Sequence, residues 1–285
     1  MKRSVLVLVL VLGGCASDPP PPPKAIGLNR LGAAALASGD LPTAEARLAV
    51  AIEYSPKFTE AWVNLGLLAL ARGELAQARK TLAHARSLNQ DLPTPHHALG
   101  LLEERCERTK QAEAHYRAAL AVDPGFAPAR VNLGRMLFTA GRYEEAREQF
   151  LRLTEVAPDV LEGWVGLAES LLRLGRERDS ERTTDRARKR LGDRPDLVLL
   201  VAREMLRRGA FAEAETALAP LTAAGDRSRR ASAWAWLSVA RLGDGRTNLA
   251  EAAAEEALAA DPSQAVARFT VDEIARRKLR VIEAE

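Results

Sequence analysis

The sequence predicts an all-α solenoid of about seven helical hairpins closed by a terminal capping helix. Three observations point there. Gly39, Gly73, Gly141, Gly175 and Gly209 are spaced by 34 residues or twice that, and Ala44, Ala78, Ala112 and Ala146 keep the same 34-residue step. Pro56, Pro124 and Pro158 punctuate the chain in the same register. Hydrophobic residues make up 47% of the 285 residues but aromatics only 5%. An apolar complement of Ala and Leu suits close-packed helices, whereas a β-sandwich would call for Val, Ile, Thr and aromatics.

The first element, residues 1–14, reads as a leader. Lys2 and Arg3 precede an unbroken Val/Leu run from Val5 to Leu12, followed by Gly13 and Gly14. Eight apolar residues cannot span a bilayer, which needs about 20. Leu12-Gly13-Gly14-Cys15 resembles the lipobox of bacterial lipoproteins of the Gram-negative type. That resemblance implies cleavage before Cys15, a diacylglycerol thioether on its sulfur and an acylated α-amine, a multi-chain anchor facing the periplasm. Ala16, where Asp would favour the inner membrane, points to the outer one. Residues 15–24 form the tether. Its five prolines, Pro19 to Pro23, favour polyproline II and give a stiff spacer of about 15 Å. Without Lys2 and Arg3 the chain has 39 basic and 38 acidic residues, so no basic excess remains to bind nucleic acid.

The repeats tile residues 25–58, 59–92, 93–126, 127–160 and 161–194 without a gap. A sixth unit spans 195–228 and, after Arg229 and Arg230, a seventh spans 231–264. In each, a first helix with apolar residues at helical spacing ends near a glycine able to take positive φ, and a second helix follows. A small residue comes after the first core leucine position: Gly32, Gly66, Gly100, Gly134, Ala168, Ala202 and Ser238. It lets the two helices of a unit approach closely. The third unit carries Glu107 at the turn-glycine position, and the fifth carries Ser180 and Thr184 where Ala and a bulky apolar residue are expected, so loosening is anticipated at both. Residues 265–285, with Phe269, Ile274, Val281 and Ile282 between charges, read as a helix capping the last unit.

Trp62-Val63-Asn64-Leu65-Gly66, Arg130-Val131-Asn132-Leu133-Gly134 and Tyr143-Glu144-Glu145-Ala146 carry a resemblance to the tetratricopeptide repeat over residues 25–264. The resemblance implies a right-handed superhelix whose concave face is lined by the first helices. It assigns to that face Val63, Leu67 and Leu70; His97, Leu101 and Glu104; Val131, Arg135 and Phe138; Val165, Glu169 and Leu172; and Arg203 with Leu206. Asn64 and Asn132 occupy the position where such repeats bond a ligand backbone. The basic residues of the two-carboxylate clamp found in chaperone-binding relatives are missing around both, so an acidic C-terminus is not the expected ligand.

Nothing in the chain reads as a catalytic or metal centre. Ser170, Ser180 and Ser238 have no histidine at helical spacing, and no G-x-S-x-G elbow occurs. His96 and His97 are adjacent and would point about 100° apart on a helix. Cys106 is a single thiol among Arg105, Glu107 and Arg108. The run holding Arg182, Arg186, Lys189 and Arg190 reads as a solvated outer helix, with an acidic partner as the alternative.

The expectation is therefore a non-enzymatic, lipid-anchored scaffold without cofactor, nucleic-acid or small-molecule substrate, binding a partner's apolar segment. Lipoproteins made only of such repeats are similar to the pilotins of type IV pilus secretins. The alternatives are a subunit of a gliding-motility or other envelope-spanning complex, and an adaptor for peptidoglycan enzymes.

Overall fold

The computed structural model describes residues 20–223 and 226–284; Cys15 and the leader-like segment lie outside the described residues. Fifteen α-helices and one 3-10 segment, with no strand, make up the described residues. They are α1 (Pro23–Ser38), α2 (Leu41–Tyr54), α3 (Thr59–Ala71), α4 (Leu75–Leu88), α5 (Pro93–Arg105), α6 (Thr109–Val122), α7 (Ala127–Thr139), α8 (Tyr143–Val156), α9 (Leu161–Arg173), α10 (Glu177–Leu191), α11 (Pro195–Arg207), α12 (Phe211–Leu218), α13 (Arg227–Gly243), α14 (Thr247–Ala260) and α15 (Ala265–Ala284).

The chain divides into two compact units, one ending at Ala112 and the other beginning at Glu113, a boundary inside α6. In the first, α1 packs on α2 and α3, and α3 on α4 and α5. In the second, α7 packs on α8 and α9, and the pattern repeats through α11 and α13 to α15. Within each unit, first helices thus touch the first helix of the next repeat, as α1 does α3 and α7 does α9.

The small residues explain how closely the partners cross. A Cβ on Gly66 would lie 2.4 Å from a Leu82 side-chain carbon, and one on Gly32 would lie 2.7 Å from Leu48. Inter-repeat turns are tied down by a second device. Trp62 Nε1 donates to the carbonyl of Pro56 and Trp164 Nε1 to that of Pro158, both at 2.7 Å. The Arg130 guanidinium, at the equivalent position, reaches the Pro124 carbonyl.

Both units expected to be loose are regular. Glu107 adopts φ 60°, and its turn closes with Glu107 N–H on Glu104 O (3.0 Å) and Arg108 N–H on Glu103 O (2.9 Å). The glycine turn at Gly73 uses the same bond pair. In the fifth unit, Ser180 and Thr184 are buried because the next repeat offers a carboxylate there. Ser180 Oγ–H donates to Glu204 Oε1 at 2.9 Å, and Thr184 Oγ1 lies 3.4 Å from the same oxygen.

Other boundaries differ from the sequence expectation. Pro23 is not part of the spacer but begins α1, since proline is tolerated where a helix has no N–H partner to lose. Arg229 and Arg230 are not an insertion between units; they belong to α13, which Asp226 caps through the Arg229 N–H at 2.8 Å. In the sixth unit α12 stops at Leu218 and continues as a 3-10 turn over Ala219–Ala223, where Pro220 lacks the N–H a helix needs. The cap α15 packs through Ala267, Thr270 and Ile274, whereas Phe269 is 58% exposed beneath the Arg276 guanidinium. Side chains beyond Arg277, including those of Val281 and Ile282, lie outside the described part.

Along α10, Arg182 and the capping-position Arg176 pair with Asp179 in the i,i+3 sense, Arg190 reaches Asp159, and Arg186 covers the Trp164 ring. The charged run is a solvated face tied to its own neighbours.

Candidate partner-binding cleft

Along α7, Val131, Arg135 and Phe138 fall at i, i+4 and i+7, one stripe of a helix. Along α9, Val165, Glu169 and Leu172 repeat that stripe 34 residues later. The two helices bound a cleft of about 290 Å³ lined by Val131, Arg135, Phe138, Val165 and Glu169. Five of the sequence-predicted groove residues are therefore brought together in one concavity of the second compact unit.

The floor was not foreseen. It is the ring of Phe150 from α8, which reaches the cleft between Gly134 and Gly166 because neither carries a side chain. Leu161, Glu162, Gly166 and Asp196 complete the lining. A signal for this was present in the sequence: Gly166 stands where the second and fourth units carry Asn64 and Asn132.

The electrostatics of the rim are partly satisfied internally. Arg203 Nη1 donates to Glu169 at 2.7 Å and lies over the Trp236 ring, 5.2 Å from its centroid. Asp196 takes Arg229 at 3.3 Å. Phe138 packs edge-on to Tyr143 with centroids 5.3 Å apart, and Arg173 lies over it at 6.0 Å. Arg135 is exposed at the mouth. A volume of this size lies at the lower edge of small-molecule pockets, and its lining is largely apolar. It suits one or two side chains of a polypeptide.

The other assigned residues are placed differently. Val63 is 6% exposed in a core cluster with Leu99 and Leu102, and Leu206 is 9% exposed in a cluster with Leu218 and Leu237. Both pack between neighbouring helices and offer no binding surface, correcting their assignment to the groove. Leu67 and Leu70 are half-buried against the Val63 cluster. Asn64 donates to Asn29 Oδ1 at 2.8 Å, so it bonds the preceding repeat. Asn132, Leu101, Leu172 and Glu104 are half-buried and stand outside the cleft lining. Burial pushes the His97 imidazole down to about 4.

Away from the cleft, Cys106 is half-buried with its Sγ 3.8 Å from Arg79. That arginine also pairs with the buried carboxylate of Glu103, which Arg108 approaches at 3.5 Å. Among the described residues no cluster of His, Cys, Asp or Glu could hold a metal, and no helix is long and apolar enough to cross a membrane.

Comparison with known proteins agrees with this architecture. Tetratricopeptide-repeat patterns match residues 35–102, 107–164 and 138–195. A tetratricopeptide-repeat protein from Parabacteroides merdae is similar at 18% identity, covering 88% of this chain and 99% of its own, with a TM-score of 0.61. Pseudomonas aeruginosa pilF is similar at 20% identity over 75% of this chain and 97% of its own, with a TM-score of 0.62. YrrB, described as having an unusual peptide-binding site, is similar at 18% identity over 67% of this chain and 97% of its own, with a TM-score of 0.50. No curated protein sequence matches the chain.

Proposed function

Because the chain belongs to the tetratricopeptide-repeat family, we propose that it is a non-catalytic scaffold, anchored by lipid on Cys15 at the periplasmic face of the outer membrane. In this role it holds an apolar segment of an envelope-machine subunit, foremost a secretin of the type IV pilus kind. The observation that carries the binding role is the Phe150-floored cleft between α7 and α9. An apolar side chain entering it would displace water from Val131, Phe138, Phe150 and Val165 at roughly 25 cal/mol per Å² buried. Arg135 is exposed at the mouth of the cleft.

The location rests on Leu12-Gly13-Gly14-Cys15, the preceding apolar run and Ala16. The pilus assignment rests on the resemblance between lipidated all-repeat proteins and pilotins. The fold held in common with pilF is compatible with it, and the peptide-binding site in the description of YrrB is compatible with a peptide in the cleft.

The experiment is affinity purification of the full chain from detergent-solubilised membranes, beside a Phe138→Glu/Val165→Glu variant whose thermal melt is checked first. Secretin or pilus subunits present with the native chain and absent with the variant are the expected result. Motility or cell-wall proteins retained equally by both would contradict both the cleft and the pilus assignment.

A further inference from the structure

We propose that the outward side of α1 docks on an anionic lipid surface, so that the first hairpin lies against the membrane. The inference rests on the lipid-anchor reading above and adds to it a second, non-covalent contact.

Ile26 is 48% exposed and Leu31 53%. At the position of Leu31 in later repeats, Leu99, Leu133 and Leu167 are only 4%, 1% and 4% exposed, and Leu65 and Val201 are half-buried. Ile26, Arg30, Leu31 and Ala34 fall at i, i+4, i+5 and i+8, and all are exposed on one side of α1. Lys24 is exposed at the start of the helix, its Nζ 4.5 Å from the ring of Tyr54, itself 46% exposed. Between Pro23 and Ser38 there are two basic residues and no acidic one. Two acids of α2 and its cap are engaged, Asp40 accepting the Thr43 N–H and Glu45 pairing with Arg72, while Glu53 stands exposed beside Tyr54. An apolar strip with Lys and Arg alongside and a tyrosine at its edge is the composition of a helix that lies in a lipid headgroup region.

The tether selects the occupant. Pro23 is eight residue steps from Cys15, at most about 3.3–3.6 Å each, so α1 starts within roughly 30 Å of the anchored sulfur. Along the chain α1 is therefore the helix closest to the anchor. Lys24 and Arg30, both exposed on α1, complement anionic lipid.

The test uses the full, lipidated chain with Cys106→Ser and a single environment-sensitive label at Ala34→Cys or, as a control on α14, at Ala252→Cys. Acylation is read by mass, and the protein is reconstituted into phosphatidylglycerol vesicles carrying a brominated-lipid quencher. The expected result is severalfold stronger quenching at 34 than at 252, lost in Ile26→Glu/Leu31→Glu while flotation with the vesicles persists. Added salt should weaken the quenching as Lys24 and Arg30 are screened, which keeps the test valid should the double variant fold poorly. Equal, weak quenching at both labels in acylated, floating protein overturns the docking and leaves the anchor standing. An absent acyl mass with no flotation overturns the anchor and the docking together. Protection at 34 that depends on protein concentration and persists in neutral detergent assigns the face to a second copy and overturns the lipid proposal.

Discussion

The ring of Phe150 lies directly beneath Gly166: a Cβ on that glycine would stand 2.5 Å from two ring carbons. The cleft between α7 and α9 exists in this form because residue 166 has no side chain and the aromatic below can reach its floor. A valine at 166 must displace the ring. Gly166→Val is expected to cost about 1–3 kcal/mol, the usual range for overpacking, and to weaken partner capture beyond that loss of stability. Chemical denaturation together with pull-down at a temperature where both proteins are folded checks it. Undiminished capture would remove the cleft from the binding role.

The left-handed turn at Glu107 gives a prediction of opposite sign. A non-glycine residue there costs roughly 1–2 kcal/mol, while glycine would return about 0.5–1 kcal/mol of that to the unfolded chain's entropy. Glu107→Gly is therefore expected to stabilise the first compact unit by up to about 1 kcal/mol, read as a higher denaturation midpoint. A lower midpoint would show that the Glu107 side chain contributes more than its backbone costs.

The indole bonds to the inter-repeat prolines can be removed singly. Trp164 is 5% exposed and its Nε1 donates to Pro158 O, so Trp164→Phe removes that donor and part of a buried ring. A loss of about 1–2 kcal/mol is expected from an abandoned carbonyl and a small cavity. Urea melts of the two proteins measure it; an unchanged midpoint would mean that water replaces the indole without cost.

A buried carboxyl and a half-buried imidazole should tilt stability in opposite directions with pH. Burial holds the Glu204 carboxyl above its ordinary value of 4.5, with the Ser180 hydroxyl opposing. The folded state thus keeps a proton that the unfolded chain releases, and stability falls as pH rises from about 4.5 through the raised value. Glu204→Gln should stabilise at neutral pH and remove that slope. His97 behaves in the reverse sense. Its folded value near 4 lies below the ordinary 6.5, so stability falls as pH drops from 6.5 towards 4. His97→Gln should flatten that lower window. Denaturant midpoints across pH 4 to 8 separate the two effects, and slopes unchanged in both variants would contradict the assignment.

Much of this architecture was legible because 34-residue periodicity places Gly, Ala and Pro by backbone necessity. Gly39, Gly73 and Gly175 all take positive φ, and Gly66 is pressed against Leu82, as a repeat of helical hairpins requires. Tertiary partners from the next repeat were less legible. Ser180 and Thr184 looked like defects until Glu204 appeared opposite them, and Glu103 finds Arg79 from another helix. For the cleft, the stripe of Val131, Arg135 and Phe138 followed from the repeat resemblance, but the floor did not, since Phe150 belongs to the second helix of its hairpin. The repeat resemblance likewise put Val63 and Leu206 on the binding face, where neighbouring helices cover them.

The central claim is that a partner's apolar segment occupies the cleft above Phe150, and site-specific photocrosslinking in living cells tests it most directly. A photoreactive phenylalanine replaces Arg135 at the cleft mouth or, as a control, Arg152 on the exposed side of α8. The account predicts a discrete crosslinked protein from position 135, absent from position 152 and abolished by Phe138→Glu/Val165→Glu. A crosslink from position 152 with none from 135 would contradict it and move the working surface to the outer helices.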